Sequence, residues 1–116
     1  MSVIYTAHAT ATGGRDGRAE TDDKAISVAL IRPGAEGDGT NPEQLFATGY
    51  SACFLGAMRF AAGQAKVKLP PEATVNAQVG FGKRDDGEGF GLKVILTASA
   101  PGLDAETLKD VMDRAH

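Results

Sequence analysis

The chain has 116 residues, is 42% hydrophobic and 6% aromatic with no tryptophan, and carries a net charge of −3. That length suits one domain over residues 1–116, and 12 basic residues scattered among 15 acidic ones form no stripe for nucleic acid or an anionic membrane. No secretory signal opens the sequence, no run of about 18 apolar residues would span a bilayer, and a single cysteine closes no internal disulfide, so the reducing cytoplasm is the expected compartment.

From Val3 to Thr12 polar and apolar residues alternate, which predicts a strand. Gly13-Gly14-Arg15-Asp16-Gly17-Arg18 breaks the alternation with turn chemistry, because paired glycines admit positive φ. A second strand is expected over Ala25–Ile31, with Ile26, Val28 and Leu30 on one side, followed by a surface loop from Pro33 to Gly39. Thr40-Asn41-Pro42-Glu43-Gln44 then offers a helix start: Thr40 or Asn41 as cap, a proline in the first turn, an acid near the positive helix end. The helix following from Leu45 to Ala62 is polar only at Thr48, Ser51 and Arg59, and a helix apolar nearly all round must be covered on several sides. A partner subunit is the simplest cover in so small a domain.

Thr74–Phe81 and Phe90–Ser99 alternate cleanly on either side of a charged, glycine-rich turn and predict a hairpin. Val75, Ala77, Val79 and Phe81 are expected inward on the first strand, and Phe90, Leu92, Val94, Leu96 and Ala98 share one face of the second. Asp104 caps a second helix, with Leu103 and Leu108 placed as a hydrophobic staple and Leu108, Val111, Met112 and Ala115 as its apolar stripe. Strands, a long central helix, a hairpin and another helix make an α+β domain.

The residue with most chemical potential is Cys53. A lone helical cysteine is either a small buried hydrophobe or a reactive thiol, and the second role requires a cation or helix N-terminus nearby together with access for an oxidant. Gly49 and Gly56 thin the helix on the Cys53 face, though close helix packing explains them equally well. His8 reads as a sheet-face residue, and no His, Cys or acid cluster has metal-ligand spacing. The glycines between Gly80 and Gly91 lie in a hairpin rather than between a strand and a helix, so they read as turn geometry and not a nucleotide loop. Ser51 lacks a Gly-x-Ser-x-Gly setting. No cofactor is expected.

The segment Thr40-Asn41-Pro42-Glu43-Gln44-Leu45-Phe46-Ala47-Thr48-Gly49-Tyr50-Ser51-Ala52-Cys53-Phe54 resembles the signature of the organic hydroperoxide resistance (Ohr) proteins of the wider Ohr/OsmC family. Tyr5-Thr6-Ala7, Thr12-Gly13-Gly14-Arg15-Asp16-Gly17, Gly89-Phe90-Gly91 and Pro101-Gly102-Leu103 match in family order, so the resemblance covers essentially the whole chain. It implies an intertwined α+β homodimer with antiparallel sheets, and a peroxidase acting on alkyl and fatty-acid hydroperoxides. By the same resemblance the peroxide-reactive thiol is Cys53, the arginine stabilising its thiolate is Arg15, and the acid holding that arginine is Glu43. Arg18 lies close, but the Gly-Gly-Arg register favours Arg15. A dithiol or lipoyl-type reductant is implied as well.

These roles are chemically coherent. A cation within ~4–6 Å lowers a thiol's pKa, and a carboxylate fixes a guanidinium's orientation. Phe46, Phe54, Leu55, Met58 and Phe60 are available to line an apolar cleft that favours organic peroxides, or to serve as ordinary core. On one straight helix, ten residues would separate Glu43 from Cys53 by about 15 Å. Arg15 and Glu43 are therefore expected to reach Cys53 from the other subunit, unless the helix is interrupted. Family members carry a second cysteine in a Val-Cys-Pro-Tyr-Ser type segment after the second helix, whereas this sequence stops at His116. We read it as an incomplete sequence rather than a one-cysteine variant. The rival to a turning-over peroxidase is a one-cysteine peroxide sensor or hydrophobic-ligand-binding protein.

Overall fold

The computed structural model describes residues 1–116 and runs β1 (Ala9–Thr12), β2 (Arg18–Thr21), β3 (Ser27–Ala29), α1 (Pro42–Gln64), β4 (Thr74–Lys83), β5 (Phe90–Ser99) and α2 (Ala105–Ala115). This is the α+β class the sequence predicts, with two antiparallel sheets and two helices. The chain forms two compact segments, residues 1–45 and 46–116.

In the first segment the sheet order is β1-β2-β3, with Thr12 opposite Arg18 and Arg18 opposite Ala29. The strand expected over Val3–Thr12 is shorter than its alternation suggests, beginning only at Ala9. A strand extends only as far as its partner: β2 ends at Thr21, which faces Ala9, and the chain then turns through Lys24 at a positive φ of 64°. The last backbone bond of that ladder runs from the Asp22 N–H to the His8 carbonyl. The central strand β2 was not expected at all. Its residues Arg18-Ala19-Glu20-Thr21 carry no apolar alternation, and backbone pairing on both sides holds them extended. The strand expected over Ala25–Ile31 is confined to Ser27–Ala29 and prolonged by a single parallel bridge between Leu30 and Thr40. Leu30 is buried while Ile26, on the same side, is exposed.

Asn41 is the residue that caps α1: its Oδ1 accepts the Gln44 N–H at 2.9 Å, and Pro42 occupies the first helical position, where a missing N–H costs nothing. The helix continues without interruption to Gln64, two residues past its expected end.

In the second segment Phe54, Met58, Ala61 and Ala62 recur at helical spacing and bury one face of α1. They join Leu69, Ala73, Ala100 and Val111 in a single core, where Met58 and Val111 are fully buried. Such burial stabilises by about 1.5–3 kcal/mol per side chain. Val111 comes from α2, whose start is capped as expected: the Asp104 carboxylate accepts the Thr107 N–H at 2.7 Å, and Leu103 and Leu108 both pack on the core. β4 and β5 pair over their whole length, from Thr74 opposite Ser99 to Lys83 opposite Phe90. One expectation fails here. Phe81, Phe90 and Leu92 lie on the hairpin's apolar face but are 47%, 59% and 51% exposed. Alternation selects a face, not a depth; only the base of the hairpin, through Val75, Leu96 and Ala98, packs on the core. At the far end the Phe81 and Phe90 rings stack on each other at 5.0 Å.

Candidate active site

Arg15 stands on a single 3₁₀ turn, Gly14–Asp16, that joins β1 to β2. Gly13 and Gly14 have φ of 71° and 61°, the left-handed region that the paired glycines suggested. Gly17 is required for a different reason: a Cβ there would lie 1.7 Å from the Thr12 carbonyl oxygen, so only glycine lets the turn close. Asp16 pairs with Arg32 at 3.1 Å. Arg18 already belongs to β2 and donates to the Ser27 hydroxyl, which leaves Arg15 as the arginine presented by the turn.

Glu43 is the second residue of α1, directly after the Asn41 cap and Pro42. The Arg15 Nη2 donates to its Oε2 at 2.5 Å across 28 residues of sequence. Glu43 is largely covered and Arg15 half-exposed, at 13% and 37%. The Arg15 hydrogen bond holds the Glu43 carboxyl below its ordinary value of 4.5, outweighing the opposing effect of burial. The first segment thus builds an arginine fixed by an ionised acid, a pair that the sequence linked only through family resemblance.

Cys53 lies ten residues further along the same uninterrupted helix, an axial rise of about 15 Å from Glu43. It is a free, exposed thiol, not the small buried hydrophobe that was the alternative. Phe46 and Phe60, each seven residues away and so on the same face, are 44% and 69% exposed. Gly49 and Gly56 share that side, and a Cβ at either would meet nothing within 4 Å, so packing inside the chain does not account for them. The other residues considered for an apolar cleft divide differently. Phe54 and Met58 are buried in the core and Leu55 packs against it. Tyr50, not singled out from the sequence, is the aromatic neighbour of Cys53 at i−3 and meets Phe46 edge-on at 5.5 Å. The i, i+3 spacing was the signal that could have found it.

No group of three or more His, Cys, Asp or Glu side chains is placed to hold a metal ion, and no helix is long and apolar enough to cross a membrane.

Comparison with known proteins identifies the family. Residues 35–116 match the family model for OsmC-like proteins. The organic hydroperoxide resistance protein of Xanthomonas axonopodis pv. citri (strain 306) is 53% identical over 118 residues, covering 98% of this chain and 82% of that protein. The crystal structure of the organic hydroperoxide resistance protein OhrB of Bacillus subtilis superposes with a TM-score of 0.90 at 35% identity, covering 98% of this chain and 85% of that one. An organic hydroperoxide resistance protein from Elizabethkingia anophelis gives 0.87 at 44% identity, covering 100% and 84%. The chain belongs to the OsmC-like family, among the organic hydroperoxide resistance proteins.

Proposed function

We propose that this protein is a cysteine-based peroxidase that reduces organic hydroperoxides to alcohols, with Cys53 as nucleophile, Arg15 as the cation favouring its thiolate and Glu43 as the acid holding that arginine. The observation that carries the reading is an accessible thiol in a chain that also builds a fixed Arg15–Glu43 pair, within a family whose relatives bear the name organic hydroperoxide resistance protein. The Cys53 thiolate attacks the outer peroxide oxygen. The S–O bond forms as the O–O bond breaks, two electrons pass from sulfur to the peroxide, and the departing alkoxide takes a proton to become the alcohol. Arg15 stabilises the thiolate and the charge growing on the alkoxide. The Cys53 sulfenic acid returns to thiol through a reductant of dithiol or lipoyl type, acting in a reducing compartment such as the cytoplasm.

Helix geometry supports a homodimer in which Arg15 and Glu43 serve the partner's Cys53. The helix between Glu43 and Cys53 has no break that would shorten their spacing, and the exposed apolar side of α1 around Phe46 and Phe60 suits cover by a second copy. Complementation tests this. Mixing refolded Cys53→Ser and Arg15→Ala proteins restores oxidation if the site is shared between subunits; no recovery in verified mixed dimers defeats the shared site.

For the chemistry itself, reduced protein is treated with tert-butyl or cumene hydroperoxide and followed by intact mass. Gain of one oxygen at Cys53, faster than with hydrogen peroxide and sharply slowed by Arg15→Ala, is the expected result. An unreactive thiol, or an Arg15→Ala rate equal to the wild type, defeats the mechanism. The rival is a sensor oxidised once. Sustained peroxide consumption with a dithiol reductant separates the enzyme from it.

A further inference from the structure

The turn that carries Arg15 is a thin piece of backbone to hold a side chain steady. Gly13, Gly14 and Gly17 flank Arg15 and Asp16, and a Cβ on Gly14 would meet nothing within 4 Å. Glycine has more conformational freedom to lose than any other residue, so such a turn keeps one shape only where contacts impose it. The neighbouring contacts lead to one place. The Leu30 N–H donates to the Gly17 carbonyl at 2.8 Å, and Leu30 is the buried hydrophobic residue of the first segment. From there the Ile31 N–H reaches the Thr40 carbonyl at 2.9 Å, next to the Asn41 cap of α1. Arg32 follows directly. Its carbonyl accepts the Ala35 N–H at 3.0 Å, closing a tight turn with Pro33 and Gly34 at the central positions. Gly34 has a φ of 83°, as a type II turn requires at that place. From this preset turn the Arg32 Nη2 comes within 3.1 Å of the Asp16 Oδ2.

We propose that Asp16 and Arg32 are positioning residues, whose ion pair staples the Arg15 turn to the loop leading into α1 and so presents the Arg15 guanidinium to Glu43. The inference rests on the reading of Arg15 as the cation of the thiolate. Arg15 and Asp16 are adjacent on one 3₁₀ turn, so a staple on Asp16 limits rotation of the backbone that carries Arg15. With the Arg15–Glu43 and Asp16–Arg32 pairs both closed, side chains hold the turn at two points, one on α1 and one on the loop before it. Arg32 and Asp16 are 74% and 57% exposed, so water screens their pair and its effect is a few-fold rather than orders of magnitude. Neither residue needs to touch the sulfur.

The test follows oxidation of Cys53 by cumene hydroperoxide, read as gain of one oxygen by intact mass across a range of pH. The double variant Asp16→Asn/Arg32→Ala loses one charge of each sign, so its formal net charge matches the wild type. Below the pH of half-maximal rate it reacts about threefold more slowly, and that pH rises by about half a unit, because a guanidinium held less firmly favours the thiolate less. Each single variant slows the reaction similarly, and Arg32→Lys restores most of the rate. In an Arg15→Ala background none of these changes slows it further. Arg32→Gln, which keeps most of the stem and loses the charge, replaces Arg32→Ala if the alanine variant fails to fold by circular dichroism. A double variant that matches the wild type in rate and in half-maximal pH overturns the staple. So does an Arg32→Lys rate no better than that of Arg32→Ala, or an equal slowing with Arg15 already removed. An Arg15→Ala rate equal to the wild type overturns the peroxidase mechanism itself, a failure distinct from the loss of the staple.

Discussion

Met58→Ala separates a core role from a substrate-lining role for the most deeply buried residue near the thiol on α1. Met58 is fully buried, and the substitution removes three heavy atoms beyond Cβ. At about 0.8 kcal/mol per buried methylene-sized group, the transfer loss is roughly 2.5 kcal/mol. The void adds to this, because Ala61, Ala62, Ala73 and Ala100 of the same cluster carry methyl groups too short to swing into it. The expected destabilisation is about 3–4 kcal/mol. Urea unfolding followed by circular dichroism at fixed protein concentration measures it: with a slope of about 1–3 kcal/mol per molar, the midpoint falls by at least about 1 M. Met58→Leu, close in volume, costs less than about 1.5 kcal/mol. A loss below about 1 kcal/mol for Met58→Ala at unchanged slope, accompanied by an altered preference among hydroperoxides, refutes the reasoning and returns Met58 to the substrate's surroundings.

Gly17→Ala drives a methyl group into the Thr12 carbonyl and forces the Arg15 turn open; Cys53 oxidation slows as it does in Arg15→Ala, whereas Gly14→Ala, with open space but a φ of 61°, costs only about 1–2 kcal/mol of backbone strain. Asn41→Ala removes the α1 cap and lowers stability by about 1 kcal/mol in the same urea assay. The Arg15–Glu43 pair gives a pH signature. Because the folded-state pKa of Glu43 lies below its ordinary 4.5, the pair's contribution is complete above that value and is lost as pH falls through the lower, folded value. The stability gap between wild type and Glu43→Gln is therefore constant near neutrality and closes in acid; a gap that widens in acid contradicts the sign.

The sequence made some of this legible and hid the rest for physical reasons. The hairpin was readable because alternation over ten-residue strands has a period of two that nothing else imitates, and the α1 start was readable because capping chemistry is local. β2 was hidden: its extended form comes from neighbours on both sides, not from its own polar residues. Depth was hidden as well, so Phe81 and Leu92 looked like core although only the hairpin's base is covered. For the site, the exposure of Cys53 had no local signal. The Arg15–Glu43 pair joins residues 28 apart, a distance over which no spacing rule operates, and only likeness to a family connected them.

The bareness of α1 around its sulfur has a practical consequence. With no side chain on Gly49 or Gly56 and an exposed sulfur between them, the thiol has no steric guard from its own helix against small molecules in the buffer. Protein prepared without a reducing agent will exchange with oxidised glutathione, forming a mixed disulfide at this one atom as one glutathione thiol is released. A mass spectrum of freshly purified material will register that capping before any peroxide is added.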